Sequence, residues 1–538
     1  MSLSRGQYDV YLELMRELDA FRTQYIARHQ VEHLDREDPD VRRLMEAMAF
    51  FAARAQYAGQ NYLGAMRRSL MFEFFPYLAS PIPSLGLLQA VPTAKMSEAV
   101  HLPAGTVLAA NLSATDRIGV MTTLDDLTIL PIEIYRFDQV PMPNRGVRLQ
   151  LRFRGPYARN DELETLSLFV NQLSDYASSA RVINLLENNL IQARVVFTDG
   201  EDVLISPDDG QPIDIDFDQA TRLKSHEGRH PIERTRWLLH QPEQGLFVNL
   251  KFPKTPRNWR TFTVIFDIAD WPERYRVSRE TFLPFVVPVG NIVRDYAEPV
   301  EYDGTAETIS IRHPDTKERY EMHSLLGVYR VNDGVMEPMQ SGTVATGSGT
   351  YRVVDDGRGQ FETHKRIALD LPQAFDQAVT VSVDAHWHQT WLSEYVNEKF
   401  EYGLYRSADA GLKWSPVGDL QPLCRPASLQ QDDKYLQLFS LQNKPQLNHR
   451  DVIALLNALG PVGERAFGSI RSQWRGTRCE QVPDTDGSGK LKTQFVFQFG
   501  SLSADLVPVA ELWVHYVSRI LDVWLAGTKV TGVAEYLQ

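Results

Sequence analysis

A cluster of three prolines divides this sequence into two parts with different hydrophobic periods. Pro76, Pro81 and Pro83 lie close together. A helix cannot continue through such a cluster, because proline lacks the backbone N–H and restricts the residue before it. Apolar residues recur at helical spacing before the cluster and alternate as in strands after it. The sequence therefore predicts a helical region over residues 1–84, followed by β-rich structure.

The first predicted helix carries an aromatic seam, which we define as Tyr11, Leu14, Leu18, Phe21 and Tyr25. Its members are spaced alternately three and four residues apart, which is typical of a helix that packs against another helix. Periodicity does not reveal whose helix that is. We therefore expect the seam to pack in a helical bundle, either within this chain or against a partner chain.

A second helix is predicted to begin at Asp38-Pro39. Aspartate suits the N-cap position, and proline suits the first helical position, where its missing N–H costs nothing. Large and small apolar side chains then recur along one face of this helix, namely Leu44, Met48, Phe51 and Ala55.

Beyond the prolines, strand-like segments dominate and helical patterns return near the C-terminus. We expect an α+β, multidomain protein with an N-terminal helical region (1–84), two β-rich domains (85–260, with one helix, and 261–440) and a mixed C-terminal region (441–538). The predicted elements are strands in 120–140 and 147–153, a helix at 174–190 running into a strand at 193–197, a helix at 450–459, a strand at 493–498 and a closing helix at 506–526.

The closing helix is amphipathic. Glu511, His515, Arg519 and Asp522 are four, four and three residues apart, so they form one polar stripe, opposite Trp513 and its apolar neighbours. These polar residues interrupt the longest apolar segment, and we therefore expect no membrane span. The first thirty residues interleave charges throughout, so we expect no secretory signal.

Charge restricts the classes of partner. The chain has 56 Lys and Arg against 69 Asp and Glu, a net charge of −13, and it lacks the broad positive field that nucleic acids and anionic membranes require. Residues 199–218 hold eight acidic residues and no basic ones. Within them Asp214, Asp216 and Asp218 would share one face of a strand, where a solvated surface is favoured over a calcium site.

Three motifs suggest metal chemistry, and two of them are weak. His226 to His230 matches H-E-x-x-H, but Gly228 and the following Pro231 disfavour the helix that this motif needs. Residues 484–489 begin like an EF-hand loop, but Phe495 stands where the bidentate glutamate should be. A basic loop and a hairpin turn are the simpler interpretations.

The third motif is Asp384, His386 and His388, which a strand would place on one face. This cluster supports an alternative function, a β-rich metal-dependent hydrolase or binding protein. The simpler interpretation is that these are half-buried histidines of an ordinary strand, and we favour it.

Cys424 and Cys479 are too few for a disulfide framework or a four-thiolate zinc site. We nominate no catalytic residue, cofactor or metal, and we expect no enzyme.

Several segments, taken in their order along the chain, resemble the TssF family, the baseplate wedge component of bacterial type VI secretion systems. Beyond the opening helix, the matching segments are DPDVRRL (38–44), AFFAAR (49–54), FPYLASPIPS (75–84) and LPAGT (102–106), with weaker matches at LFVN (168–171), AEP (297–299), YEMHS (320–324) and WRGT (474–477). The chain looks shorter than a typical member, which suggests a divergent member or, alternatively, a wedge protein of a related phage-tail-like particle.

The resemblance implies an assembly role without catalytic residues. It implies that two copies of the chain join one TssG-like chain to form a wedge, and that wedges surround a VgrG-like spike hub together with TssE-like and TssK-like proteins. It also implies a location in the cytoplasm, at a baseplate docked on the inner membrane. No nucleic acid and no direct membrane insertion are expected.

Overall fold

The chain folds into a helical N-terminal region and a set of antiparallel sheets, closed by a mixed C-terminal region. The computed structural model describes residues 5–29, 39–112, 117–143, 145–159, 162–198, 210–217, 229–273, 275–332, 334–342, 349–355, 365–405, 411–426, 433–442, 444–483, 491–525 and 529–537. This architecture confirms the predicted α+β fold class.

Helices occupy the two ends of the described chain and two places between the sheets. They are α1 (Arg5–His29), α2 (Pro39–Phe74), α3 (Pro76–Ala79), α4 (Tyr176–Asn189), α5 (Pro231–His240), α6 (Asp433–Gln442), α7 (His449–Ala458), α8 (Glu464–Gln473) and α9 (Val507–Trp524).

The strands of the first half of the chain lie before and after α4 in the sequence. They are β1 (Leu85–Pro92), β2 (Val100–Leu102), β3 (Val107–Leu112), β4 (Ile118–Thr123), β5 (Leu127–Ile129), β6 (Glu133–Pro141), β7 (Val147–Arg159), β8 (Thr165–Val170), β9 (Leu190–Thr198), β10 (Gln211–Pro212), β11 (Asp214–Asp216), β12 (Phe247–Lys251) and β13 (Trp259–Ile268).

The strands of the second half continue the numbering. They are β14 (Phe282–Pro284), β15 (Val286–Gly290), β16 (Val293–Tyr296), β17 (Val300–Tyr302), β18 (Ile309–Ser310), β19 (Tyr320–Asn332), β20 (Val335–Pro338), β21 (Gln340–Ser341), β22 (Thr350–Asp355), β23 (Lys365–Asp370), β24 (Val379–Gln389), β25 (Phe400–Leu404), β26 (Leu412–Pro416), β27 (Trp474–Pro483), β28 (Leu491–Phe499) and β29 (Val530–Tyr536).

The sheets join strands that are distant in sequence. The six-stranded sheet has the order β25-β3-β4-β15-β1-β26, so its strands come from both sides of the predicted boundary at residue 260. Two further sheets follow the orders β10-β9-β13-β7-β6 and β11-β12-β8-β14. Strand pairs are antiparallel except β21–β22 and β28–β29. The four-domain division remains a prediction.

The strands β16 to β24 form sheets with a hydrophobic core of their own. One sheet has the order β16-β24-β19-β20, with β17 also paired to β24, and the other has the order β18-β23-β22-β21. Val328, Ile367 and Trp387 are buried between them. The remaining sheets and the helices α3 to α9 share the main core, which also takes in the last turn of α2.

In the C-terminal region, helices and a three-stranded sheet pack around α9. Trp513 of α9 is buried against Trp474, Phe497 and Phe499 of the sheet β27-β28-β29. The predicted closing helix is therefore correct, but the last described element is the strand β29, which the sequence did not predict. No helix within the described residues is long and apolar enough to cross a bilayer.

Most predicted elements are present with shifted ends. The helices α1, α4, α7 and α9 lie where the periodicity placed them, and α2 begins at Pro39 as predicted; Asp38 lies outside the described residues. The acidic alternation forms a strand only over Asp214–Asp216, where Asp216 approaches Lys251 at 3.7 Å; Asp218 lies outside the described residues.

Candidate interaction surface

The N-terminal helices are fixed to the body of the molecule at the end of α2. Phe75 follows α2 directly and is fully buried. Its ring stacks on Trp524 of α9, with 5.8 Å between ring centroids, and meets Phe439 of α6 edge-on at 5.0 Å. Because α6 and α9 both contact this one aromatic side chain, the C-terminal end of α2 has a defined position.

A buried arginine completes this anchor. Arg236 of α5 is fully buried; its Nη1 donates to the carbonyls of Tyr77 at 2.6 Å and Ser80 at 3.0 Å, and its Nε donates to Leu459 O at 3.1 Å. Burial lowers the pKa of Arg236, but its hydrogen bonds go to three backbone carbonyls and not to a carboxylate. The guanidinium thus ties α5 to the segment after α2 and to the end of α7.

The helices α1 and α2 pack on each other, and the residues that α2 buries in its first half are small. Ala49 and Ala53 of α2 are fully buried. On α1, Tyr11 is half-buried, and its pKa is raised by this burial and by the neighbouring Glu46 of α2. Alanine at a helix contact lets two backbones approach closely, but it buries little apolar area.

The large apolar residues of α2 lie on another side of the helix. We call Leu44, Met48, Phe51 and Ala55 the outer stripe. The exposed fractions are 62% for Leu44, 53% for Met48 and 69% for Phe51, and Ala55 is also exposed. A contiguous exposed apolar patch of this kind marks an interaction surface in a folded protein.

The aromatic seam of α1 is divided between packing and exposure. Tyr11, Leu14 and Leu18 are half-buried, whereas Phe21 is 66% exposed and Tyr25 is 42% exposed. Phe21 and Tyr25 contact each other, with 6.0 Å between ring centroids. The first half of the seam therefore faces this chain, and the second half is open to solvent.

Charged side chains of this helical region pair among themselves. Arg42 donates to Glu46 at 2.9 Å, and Arg22 donates to Asp19 at 3.0 Å. The Arg54 guanidinium lies 5.8 Å from the centre of the Phe50 ring. The exposed pair of Arg42 and Glu46 contributes little to stability, and pairing of this kind leaves the surface near neutral and suited to an apolar partner.

The side chains of Asp384, His386 and His388 do not converge on one point. Asp384 is buried and accepts hydrogen bonds from Arg294, the shortest at 2.6 Å, while His386 Nδ1 lies 3.0 Å from Ser324 Oγ. His388 is buried with Glu321 3.8 Å away. The three side chains thus have three different partners, and the described residues include no group of three or more His, Cys, Asp or Glu placed to hold a metal ion.

Burial keeps these histidines neutral. It lowers the pKa of His386 to about 4 and that of His388 to about 3, and the nearby cations Arg229, Lys365 and Arg425 act in the same direction. His323 lies beside His388, with 6.2 Å between ring centroids, and its pKa is also lowered by burial. At neutral pH the contact between His388 and Glu321 is therefore not an ion pair.

The two weaker motifs fall largely outside the described residues. Residues 226–228 of the H-E-x-x-H match and all of residues 484–489 lie there. His230 is described, and it caps the N-terminus of α5, accepting from Ile232 N through Nδ1. Its ring stacks on Tyr77 at 3.8 Å. His230 therefore lies before the first residue of α5, and His226 lies outside the described residues.

Sequence reasoning missed Arg236 and did not select the outer stripe as a site. A signal for Arg236 was present, because it precedes Trp237, Leu238 and Leu239, and an arginine beside such an apolar run needs buried acceptors. The outer stripe was visible as a face, but its exposure depends on where the rest of the chain packs.

Comparisons with known proteins give the setting for this surface. The family model "Type VI secretion system, TssF" matches residues 8–389. Two solved structures are similar, each 13% identical in sequence. One is a cryo-electron microscopy structure of the type VI secretion system TssK-TssF-TssG baseplate subcomplex, with a TM-score of 0.72, covering 92% of this chain and 96% of that chain. The other is the baseplate complex from the type VI secretion system, with a TM-score of 0.61, covering 99% and 96%. No curated protein matches the chain in sequence.

Proposed function

The chain belongs to the TssF family of type VI secretion systems, and from this we propose that it is a structural subunit of the baseplate wedge that binds its partner chains through α1 and α2. One observation carries the choice of surface: α2 buries Ala49 and Ala53 while it exposes Leu44 and Phe51. A helix stabilised only within its own chain would bury the larger side chains, because these gain most from leaving water.

The partners follow from the assemblies that contain similar chains. The similar solved structures are a TssK-TssF-TssG subcomplex and a larger baseplate complex. We therefore expect a TssG-like chain and a second copy of this chain as the direct neighbours in the wedge, with a TssK-like protein attached to it. TssE-like proteins and a VgrG-like spike hub would complete the baseplate, at the cytoplasmic side of the inner membrane.

A structural role also accounts for the buried polar residues of the β-rich region. Asp384 is held by Arg294, and His386 is held by Ser324. Each contact joins neighbouring strands of one sheet, since β24 pairs with both β16 and β19. These side chains therefore have a role in fixing the sheet, and we propose no catalytic function for them.

The surface can be tested with two substitutions and a matched control. Phe21→Asp and Phe51→Asp place charges on exposed positions, so the fold should tolerate them, whereas a charge in an apolar interface opposes binding. Leu173→Asp is the control, because Leu173 is 84% exposed and lies outside the helical region. Leu14 and Leu18 are less suitable, because they are half-buried within this chain.

The measurement is co-purification with a co-expressed TssG-like chain. We expect the double variant Phe21→Asp/Phe51→Asp to lose the partner while keeping the unfolding midpoint of the unmodified protein, and Leu173→Asp to retain it. A well-folded double variant that still captures the partner at normal stoichiometry would contradict the proposed surface.

A further inference from the structure

The strand β29 presents an edge that no other described strand occupies. Among the described strands it pairs with β28 alone, in a parallel register from Thr493↔Val530 to Phe499↔Tyr536. Lys529 O accepts from Thr493 N, and Leu537 N donates to Phe499 O, both at 2.9 Å. In a parallel pair, alternate residues direct both backbone groups toward the neighbouring strand. Odd-numbered residues thus face β28, and the even-numbered ones face away from it.

The outward-facing backbone groups belong to Gly532, Ala534 and Tyr536, together with the carbonyl of Val530. The N–H of Val530 is already bound, because it donates to Asp522 Oδ1 at 2.8 Å. A row of free N–H and C=O groups at regular spacing is the chemical complement of an extended polypeptide, which binds by adding a strand to the sheet.

A groove runs along this edge. Its volume is about 710 Å³, and it lies between β29, the polar stripe of α9 and the start of α5. Glu511, His515, Arg519 and Asp522 line it from α9, and Pro231 and Thr235 line it from α5. α9 approaches β29 so closely that a Cβ at Gly532 would lie 1.9 Å from Ser518 Oγ, so only glycine fits there.

The polar groups in the groove indicate which kind of side chain an occupant should carry. Glu511 accepts from Asn184 at 3.1 Å, and Asp522 caps β29, so both carboxylates are engaged within the chain. Arg519 is half-buried and has no ion-pair partner among the described residues. A carboxylate on the occupant would satisfy the guanidinium of Arg519.

We propose that β29 receives an extended segment of a partner chain, which adds an edge strand and directs an acidic side chain at Arg519. Alternate residues of that segment would face α9, where Arg519 lies, and the others would continue the opposite surface of the sheet beside Val533, which is 44% exposed. The proposal rests on the assembly role given above, because it requires a partner chain, but it concerns a surface in the C-terminal region.

The first test is amide hydrogen exchange of the full chain, alone and in complex with a co-expressed TssG-like chain. We expect the amides of Gly532, Ala534 and Tyr536 to exchange freely in the isolated chain and at least tenfold more slowly in the complex. The amides of Thr531 and Val533 face β28, so they serve as an internal reference and should change little.

The second test uses matched pairs of variants and the dissociation constant of the TssG-like chain. Ala534→Pro removes an outward N–H and leaves the ladder with β28 intact, whereas Ala534→Ser keeps that N–H. Arg519→Glu repels an acidic side chain, whereas Arg519→Lys keeps the positive charge. We expect the first member of each pair to raise the dissociation constant at least tenfold and the second to change it less than threefold. Should Ala534→Pro fail to fold, the Arg519 pair decides.

The outcomes separate this proposal from the proposed function. If the complex forms but the outward amides stay unprotected and Arg519→Glu binds normally, the strand addition is wrong and the helical surface stands. If the isolated chain already protects these amides in a concentration-dependent manner, a second copy occupies the edge and the proposed occupant is wrong. If no complex forms at all, both the assembly role and the strand addition are overturned.

Discussion

Helices α2 and α9 both carry a stripe of large apolar side chains, and the two stripes have opposite surroundings. In α9, Trp513, Val517 and Ile520 are buried, and the polar stripe opposite them faces the groove beside β29. In α2, Leu44 and Phe51 are exposed, and the buried residues of its first half are the small Ala49 and Ala53. The same helical period therefore produces a core element at one end of the chain and an unpaired surface at the other.

The difference lies in what surrounds each helix. α9 is enclosed by α4, α5, α8 and the sheet β27-β28-β29, and these supply aromatic and aliphatic partners on most sides. α2 is anchored at its end through Phe75 and Arg236, and its other contacts are chiefly with α1 and, to a smaller extent, with β22. A face that its own chain does not cover is the face that assembly can use.

The largest expected effect is on the stability of the body of the molecule, and it tests the contrast between α9 and α2. Trp513→Ala removes a side chain that is 2% exposed and that contacts Trp474, Phe497 and Phe499. We expect the free energy of unfolding to fall by about 3–5 kcal/mol, because the substitution loses apolar burial and leaves a cavity. Denaturant titration followed by tryptophan fluorescence measures this loss.

Trp513→Phe is the matched control, since it keeps an aromatic ring in the same place and should lose less than half as much. Near-normal stability of Trp513→Ala would mean that α9 is not the centre of the C-terminal core, and the contrast with α2 would fail.

Much of this fold could be predicted from local patterns. Alternating apolar residues identified the strands on either side of residue 144, and the cluster of prolines located the end of α2 within two residues. α5 was missed because Pro231 was taken as a signal against a helix, although proline at the first helical position begins one, as at Pro39. β29 was missed because a seven-residue strand after a long helix has little pattern of its own.

The candidate surface could be predicted only in part, for a physical reason. Periodicity tells which side chains share a face, so the sequence alone groups Tyr11 and Phe21 on α1. It does not tell which face the rest of the chain covers, and Tyr11 is half-buried while Phe21 is exposed. The anchor at Arg236 depends on carbonyls from residues 77, 80 and 459, which no local pattern brings together.

A second, smaller effect on stability is expected at Arg236, which helps to anchor the end of α2 to the body of the molecule. Arg236→Leu removes the donor to three backbone carbonyls, of which that of Leu459 is buried and the other two are partly buried, and we expect the free energy of unfolding to fall by about 3 kcal/mol. Amide exchange in the last turn of α2 should accelerate, because Tyr77 and Ser80 lose their link to α5.

Arg236→Lys offers a single nitrogen in place of the guanidinium fork, so it should recover only part of the stability. If Arg236→Leu were as stable as the unmodified protein and left exchange in α2 unchanged, Phe75 alone would hold the helix to the body.

The smallest effect on stability is expected at Phe51, and it sharpens the comparison most. Phe51→Ala removes a large apolar side chain, yet this side chain is 69% exposed, so the free energy of unfolding should change by less than about 0.5 kcal/mol. Affinity for a TssG-like chain should nevertheless fall by tenfold or more if Phe51 is central to the interface. Denaturant titration and a binding isotherm on the same preparation separate the two quantities. A loss of stability as large as that of Trp513→Ala would show that α2 covers its apolar face within the chain, because only a buried phenylalanine can cost so much.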